Sequence, residues 1–170
     1  ALFRAAIRLD IPKKHVLLRP GDICDNLYFI QEGILTCYEE SGGKRYYNWV
    51  MLEGDIATAV NSFNLRIPSA EYVETLTACV LYLLSWQQLE QLSHQYTEFS
   101  AIRLYYTEKY HMQIREIEAI RRRGAEQLYE HLLKTNPIMI TQVPNNVLAS
   151  YIGVSESKLY KLKRERRHYK

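Results

Sequence analysis

The chain has 170 residues, 47% of them hydrophobic and 24% charged, which is enough apolar material for one large or two small packed domains. No apolar run approaches the ~18 residues that a membrane-spanning helix requires. Charged residues also interrupt the first ten positions too early for a signal peptide. The net charge of +3 excludes no class of partner by itself. We therefore expect a soluble, cytoplasmic protein with no membrane partner.

The cysteine and histidine residues form no ligand cluster in the sequence. Cys24, Cys37 and Cys79 are odd in number, widely spaced and never in a CxxC pair. This argues against a disulfide framework, a zinc site or an iron–sulfur cluster. The five histidines form no close pair either. We expect reduced thiols and neither a metal nor a cofactor.

The first half of the chain has the pattern of short strands. Apolar and aromatic runs separated by glycine-containing turns cover residues 15–19, 27–31, 34–38, 46–52 and 72–84. The last run is long enough for two strands. Several short strands at this spacing predict an antiparallel sandwich or barrel. Before the first of these strands, the pattern of residues 2–9 predicts one short helix.

From Trp86 onward the hydrophobic period becomes helical. Residues 87–94 predict a short helix, and residues 96–122 contain neither Gly nor Pro, which predicts one long helix of ~40 Å. Apolar residues recur along it every three or four positions and form a stripe: Phe99, Ile102, Tyr106, Tyr110, Ile114, Ile117 and Ile120.

The long helix is apolar on more than one side, because Leu104, Tyr105 and Met112 lie off the stripe. One side can pack on the strand domain and another on a second copy of the helix. The sequence therefore predicts a homodimer, with burial in one larger monomer as the alternative. The predicted dimer interface contains Phe99, Ile102, Tyr106, Tyr110, Ile114 and Ile117.

Two short helices joined by a glycine turn are predicted near the C-terminus. Asn145 is expected to cap the first, Gly153 to form the turn and Ser155 to cap the second. Ala149, Gly153 and Leu159 have the spacing of a helix-turn-helix, with an ordinary helical hairpin as the alternative. A preceding helix around Leu128 ends before Pro137, and the arginine triplet at 121–123 is expected to be a solvated face.

Charge favours the DNA-binding interpretation. Residues 155–170 carry seven Lys or Arg and two Glu, so positive charge is concentrated at one end of the chain. At 100° per residue, one face of the second helix is free to enter a major groove of double-stranded DNA. The predicted DNA contacts are Ser155, Glu156, Ser157, Lys158, Tyr160, Lys161 and Arg164.

The order of these elements resembles the Crp/Fnr family of bacterial regulators over nearly the whole chain. Residues 18–33 are similar to the family's opening β-roll motif, and residues 53–56 to the Gly-Asp-Phe that precedes its nucleotide-binding cassette. Residues 148–162 are similar to its DNA-reading element. The resemblance implies an α+β fold. An antiparallel β-roll of double-stranded β-helix type would span residues 1–95, a long dimerisation helix 96–122 and a helix-turn-helix domain 123–170. It also implies RNA polymerase as a partner.

The cassette departs from the family pattern, in which a Glu holds the ribose and an Arg the cyclic phosphate. An ungapped match places the ribose-binding pair on Thr58 and Ala59, and the phosphate-binding pair on Ser69 and Ala70. Neither Ala59 nor Ser69 carries the required charge, and only Arg66, three residues away, offers a substitute. We therefore expect a degenerate pocket, with any effector an unidentified small molecule.

The end of the chain is a second departure. The family's wing, a β-hairpin, follows the recognition helix, whereas this sequence stops six residues after Arg164. The wing is therefore lacking, or the sequence is cut short.

The sequence leaves three classes of function open. The first is a dimeric DNA-binding regulator that does not respond to cyclic AMP. The second is a small-ligand sensor module, for a cyclic nucleotide or another metabolite, in which DNA binding is secondary. An enzyme is the weakest class, because the sequence has no nucleophile–base pair, Walker loop or metal-ligand cluster and hence no predicted catalytic residue.

Overall fold

The structure of the protein, a computed structural model, describes residues 6–167. It divides into two compact units, the first extending to Thr97 and the second beginning at Glu98. The long helix belongs with the second unit. No helix in the described part of the chain is long and apolar enough to span a membrane.

The first unit contains two four-stranded antiparallel sheets. In chain order the strands are β1 (Ile7–Ile11), β2 (Val16–Leu18), β3 (Asn26–Glu32), β4 (Leu35–Ser41), β5 (Lys44–Met51), β6 (Ile56–Ala57), β7 (Tyr72–Thr75) and β8 (Cys79–Ser85). One sheet has the order β1-β8-β3-β6 and the other β2-β7-β4-β5. Because strands distant in sequence are neighbours in each sheet, the chain forms a roll. The predicted antiparallel strand domain is confirmed.

The core of the roll lies around the central strands. Leu81 of β8 pairs with Leu9 of β1 on one side and with Ile30 of β3 on the other. Ile30 and Leu81 are fully buried, as is Leu35 of β4 in the other sheet. Burying such side chains contributes ~1.5–3 kcal/mol each, so these strands form the stable frame of the unit.

Two helices accompany the strands within residues 6–97. Helix α1 (Val60–Leu65) follows β6, and α2 (Trp86–Gln95) follows β8 directly. Ser85 caps α2, because its hydroxyl accepts from the Gln88 amide while the Gln88 side chain accepts from the Ser85 amide. This capping box explains why the chain changes from strand to helix at Trp86.

The second unit is helical in its described part. Its helices are α3 (Thr97–Arg123), α4 (Ala125–Thr135), α5 (Pro137–Gln142), α6 (Asn145–Ile152) and α7 (Glu156–Arg167). The predicted long helix and the two short helices near the C-terminus are confirmed, with bounds shifted by one or two residues.

The prediction of a helix over residues 2–9 is wrong at residues 7–9, while residues 2–5 lie outside the described part of the chain. Ile7 to Ile11 form β1, which pairs with β8 more than 65 residues away. Pairing with so distant a strand leaves no signal in the local pattern. The short elements β6, α1 and α5 were missed because two to six residues define no period.

Gly33 lies close to the backbone that precedes β8. It has φ +101°, and a Cβ there would lie 2.6 Å from the carbonyl oxygen of Ala78 and 2.6 Å from Sγ of Cys79. Gly21 has a similar φ of +91° but open space around the same position. Comparing substitutions at the two glycines therefore separates the cost of the steric clash from the cost of a side chain at positive φ.

We expect Gly33→Ala to destabilise the first unit more than Gly21→Ala. Positive φ should cost both variants ~1–2 kcal/mol, and the clash should add ~1–3 kcal/mol at Gly33. Urea unfolding followed by tryptophan fluorescence measures this, because both tryptophans, Trp49 and Trp86, lie in the first unit. Equal losses of unfolding free energy would contradict the role assigned to Gly33.

Candidate nucleic-acid interface and ligand pocket

A tight turn at Gly153 joins α6 to α7. Gly153 has φ +85° and ψ +34°, and the amides of Gly153 and Val154 each donate to the carbonyl of Ala149 at 2.9 Å. These bonds satisfy carbonyls that the end of α6 would leave open. Glycine adopts this left-handed conformation without steric cost, so the turn is as predicted.

Burial orients α7. Leu159 and Leu162 are buried, as are Leu148 and Ile152 of α6, with which α7 is in contact. Ala149 is also buried, and its small side chain permits the close approach. The opposite face of α7 consequently points away from the core of the second unit.

All seven residues predicted to contact DNA are exposed. Ser155 is confirmed as the cap of α7, because its hydroxyl accepts from the Lys158 amide at 3.3 Å. The remaining residues project from the outer face and edges of α7: Glu156, Ser157, Lys158, Tyr160, Lys161 and Arg164. Such a face offers both donors and acceptors to a polar surface.

The cations on this face are only loosely paired. Lys158 lies 3.8 Å from Glu126 of α4, and Lys161 lies 3.9 Å from Glu165. Within residues 6–167, Arg164 makes no ion pair. Exposed pairs of this kind contribute ~0–1 kcal/mol, so their cations can exchange to a phosphate or a base at little cost.

Asn145 has a different role from the predicted cap. It is the first residue of α6, and Pro144 precedes it without any side-chain cap. The Asn145 side chain instead accepts from Nζ of Lys163 at 2.6 Å and donates to the Tyr160 hydroxyl at 3.0 Å. Lys163 also donates to the carbonyl of Ile140 at 3.0 Å. Sequence inspection missed this network because its members are 15 or more positions apart.

The arginine triplet at 121–123 is exposed, as predicted, and Arg121 also makes contacts within the second unit. Its Nη2 donates to the carbonyl of Tyr151 at 3.0 Å, and its guanidinium carbon lies 5.5 Å from the centre of the Tyr151 ring. The carbonyl is in the last turn of α6, where the helix dipole favours a cation. Arg121 thus ties the end of α3 to α6, and burial raises the pKa of the Tyr151 hydroxyl.

The apolar stripe of α3 is only partly covered in the single chain. Ile102 is 47% exposed, whereas Phe99 is already buried and has little surface left for a second copy. The other predicted interface residues are half-buried: Tyr106, Tyr110, Ile114 and Ile117. Off the stripe, Tyr105 and Met112 are more exposed still, at 61% and 71%.

The predicted effector pocket contains no charged group at its two key positions. Ala59 is buried immediately before α1, and Ser69 is buried with its hydroxyl bonded to the backbone of Glu71 at 3.0 Å in both directions. The Thr58 hydroxyl donates to the carbonyl of Asn26 at 3.2 Å, and Ala70 is exposed. The polar groups present are therefore already satisfied by the protein.

Arg66, the only substitute cation that the sequence offered, is held by three protein groups. Its guanidinium donates to the carbonyl of Cys24 at 2.8 Å and to the carboxylate of Asp25, and it lies 4.9 Å from the centre of the Trp86 ring. Releasing it toward a ligand would break the bond to the Cys24 carbonyl and an exposed ion pair with Asp25 that contributes ~0–1 kcal/mol. Arg66 is therefore bound to groups of the first unit itself.

A carboxylate lies two residues from the position where the family pattern has its phosphate-binding Arg. Glu71 accepts from the side-chain amide of Asn48 at 2.9 Å. Burial raises its pKa above the ordinary value, although the bond from Asn48 opposes this. An acidic group here disfavours an anionic ligand. No cluster of His, Cys, Asp or Glu suited to a metal ion occurs within residues 6–167.

Comparison with known proteins agrees with the fold of the chain. The profile of the cyclic nucleotide-binding domain family matches residues 8–96. No curated protein matches the sequence.

Solved structures match nearly the whole chain. FixK2 from Bradyrhizobium japonicum has a TM-score of 0.83 at 14% identity, over 96% of this chain and 85% of that one. A putative Crp/Fnr regulator from Eubacterium rectale has 0.73 at 11%, over 99% and 81%. The c-di-GMP-responsive regulator CLP from Xanthomonas campestris has 0.69 at 17%, over 98% and 88%. At these identities the likeness shows the fold alone.

Proposed function

The chain belongs to the cyclic nucleotide-binding domain family, and from that premise we propose that it is a dimeric, DNA-binding transcription regulator of Crp/Fnr type. In this proposal α6 and α7 form a helix-turn-helix, and α7 enters the major groove. The solved structures of similar fold include regulators, which supports the assignment by analogy. The protein would then act in the bacterial cytoplasm, where the DNA is.

The observation that carries the proposal is the outer face of α7. Leu159 and Leu162 hold the helix against α6, and this leaves Lys161 and Arg164 exposed on the other side. An α-helix fits a major groove ~12 Å wide, and an ordinary helical hairpin has no reason to expose so many donors together.

The chemistry of the side chains suggests separate roles. Lys161 and Arg164 are suited to O6 and N7 of guanine, and Glu156 to N4 of cytosine. Ser155 and Lys158, with the first amides of α7, are suited to phosphates that set the register. Ser157 and Tyr160 complete the face with hydroxyl groups.

The partly covered stripe of α3 supports dimerisation. A second copy packed on Ile102 and its half-buried neighbours would place two α7 helices on half-sites about one DNA turn apart. By family resemblance, RNA polymerase is a further partner.

The effector of the first unit is proposed to be something other than a cyclic nucleotide. Ala59 and Ser69 provide neither the ribose acceptor nor the phosphate cation, and Glu71 adds an acidic group nearby. An unidentified small molecule would change the populations of dimer arrangements. The family match over residues 8–96 also favours the second candidate function, a small-ligand sensor in which DNA binding is secondary.

We expect the double variant Lys161→Ala, Arg164→Ala to bind duplex DNA at least ~30-fold more weakly, because each lost base contact costs ~1–3 kcal/mol. Fluorescence anisotropy on a duplex selected from a random pool measures the affinity, which should also fall steeply with salt. The matched control is Lys13→Ala, Arg19→Ala, which removes two exposed cations from the first unit. Equal affinities of the two double variants would overturn the proposed role of α7.

We expect Ile102→Glu to dissociate the dimer, because it places a charge in the proposed apolar interface. Met112→Glu, which lies off the stripe, should weaken the dimer less. Neither change should unfold the chain, since both side chains are exposed in the single copy. Light scattering across a concentration series gives the mass, and the reverse order of effects would place the interface on the Met112 side.

We expect calorimetric titration with cyclic AMP or cyclic GMP to show no micromolar binding. A cyclic phosphate buried without a cation loses a charge-assisted bond worth ~1.5–3 kcal/mol and meets Glu71 instead. Tryptophan fluorescence gives an independent readout, because Trp86 contacts Arg66. Micromolar binding of either nucleotide would overturn the interpretation of Ala59 and Ser69.

A further inference from the structure

We propose that Asn145 is a positioning residue that makes the Tyr160 hydroxyl a hydrogen-bond donor toward DNA, so that Tyr160 recognises an acceptor atom. The proposal rests on the DNA-binding function proposed above and assigns one specificity determinant within it. Its basis is the network that links Lys163, Asn145 and Tyr160 across α6 and α7.

The ammonium of Lys163 decides which way the Asn145 amide faces. Nζ of Lys163 lies 2.6 Å from Oδ1 of Asn145 and 3.0 Å from the carbonyl of Ile140. An ammonium has only donors, so its partner on Asn145 must be the carbonyl oxygen. A flipped amide would put two donors against each other, and the amide is therefore locked in one orientation.

The locked amide in turn decides the direction of the Tyr160 hydroxyl. Nδ2 of Asn145 donates to the Tyr160 oxygen at 3.0 Å. A phenol has a single hydrogen, and with one lone pair occupied by the amide that hydrogen points away from Asn145. Since Tyr160 is 56% exposed, the hydrogen is directed toward whatever lies on the outer face of α7.

The matching chemistry on DNA is an acceptor. Phosphate oxygens, N7 of purines, O6 of guanine and O4 of thymine share this property, whereas N4 of cytosine and N6 of adenine are donors and would face the Tyr160 hydrogen unfavourably. Tyr160 thus discriminates against donor edges if it reaches a base. If it reaches the backbone, it contributes affinity without sequence preference.

Asn145→Asp tests the direction of the bond. A carboxylate accepts from both Lys163 and Tyr160, so the Tyr160 hydrogen turns inward and its donor toward DNA is lost. We expect the affinity for the selected duplex to fall ~5–10-fold beyond the effect of charge, as in Tyr160→Phe. Asn146→Asp supplies the charge control, because Asn146 is the exposed neighbour of Asn145 in the first turn of α6.

A double-mutant cycle separates direction from charge. In the Tyr160→Phe background no hydroxyl remains to be turned, so Asn145→Asp should cost no more than Asn146→Asp. With Tyr160 intact it should cost more. If the two aspartate variants weaken binding equally with Tyr160 intact, the proposal is overturned while the DNA-binding function stands. If the unaltered chain binds no duplex, both fall.

A second variant distinguishes positioning from mere packing. Asn145→Ala removes both bonds but leaves the Tyr160 hydroxyl free to turn outward. Its loss of affinity should therefore be smaller than that of Asn145→Asp after the effect of charge, measured by Asn146→Asp, is subtracted. A structural role predicts the opposite order, because alanine removes more contacts. Thermal unfolding of each variant identifies any loss of folded protein.

Selection from a random pool identifies the source of the acceptor. For a base contact, Tyr160→Phe and Asn145→Asp should both relax the preference at one base pair. For a phosphate contact, both should lower affinity evenly across sequences. Either result supports the donor role of Tyr160. A change of preference or affinity in Tyr160→Phe that Asn145→Asp does not share would overturn the proposal.

Discussion

The burial of Leu159 and Leu162 against α6 is the constraint on which the second unit depends. Two apolar side chains three positions apart define one side of α7, and removing them from water contributes ~1.5–3 kcal/mol each. Once that side is inward, the helical period leaves Lys161 and Arg164 on the outside. The turn at Gly153 allows α7 to pack on α6, because the left-handed conformation of this residue reverses the chain. The amides of the turn donate to the last carbonyls of α6. The proposed recognition face is thus a consequence of packing.

Hydrogen bonds from charged side chains then link the helices that packing has oriented. Arg121 joins α3 to the last turn of α6 through the Tyr151 carbonyl, so the long helix and the helix before the turn are linked within one unit. At the other end of α6, the bond from Lys163 to Asn145 links α7 to the first residue of α6. Charged groups in these positions are more than solubilising residues, since each satisfies a carbonyl or amide oxygen that the folded chain would otherwise leave to water.

The first unit keeps the frame of its family, and we propose that the polar chemistry of its cassette is changed. The two sheets depend on apolar residues such as Ile30, Leu35 and Leu81, and these are indifferent to what the cassette binds. The cassette has Ala59 and Ser69 in place of charged groups, and its nearest arginine, Arg66, is paired with Asp25. The proposed loss of anion-binding residues is compatible with this fold, because fold and ligand depend on different side chains.

The strands, the long helix and the two terminal helices were predictable, because hydrophobic period and glycine position are local properties of the sequence. The same is true of the exposed face of α7 and of the missing charges at Ala59 and Ser69. Only the tertiary structure decided the pairing of β1 with β8, the capture of Arg66 by Asp25 and the bonds that Asn145 makes in place of a cap. These depend on residues 15 to 76 positions apart, whose proximity is set by the packing of whole elements and leaves no trace in local pattern.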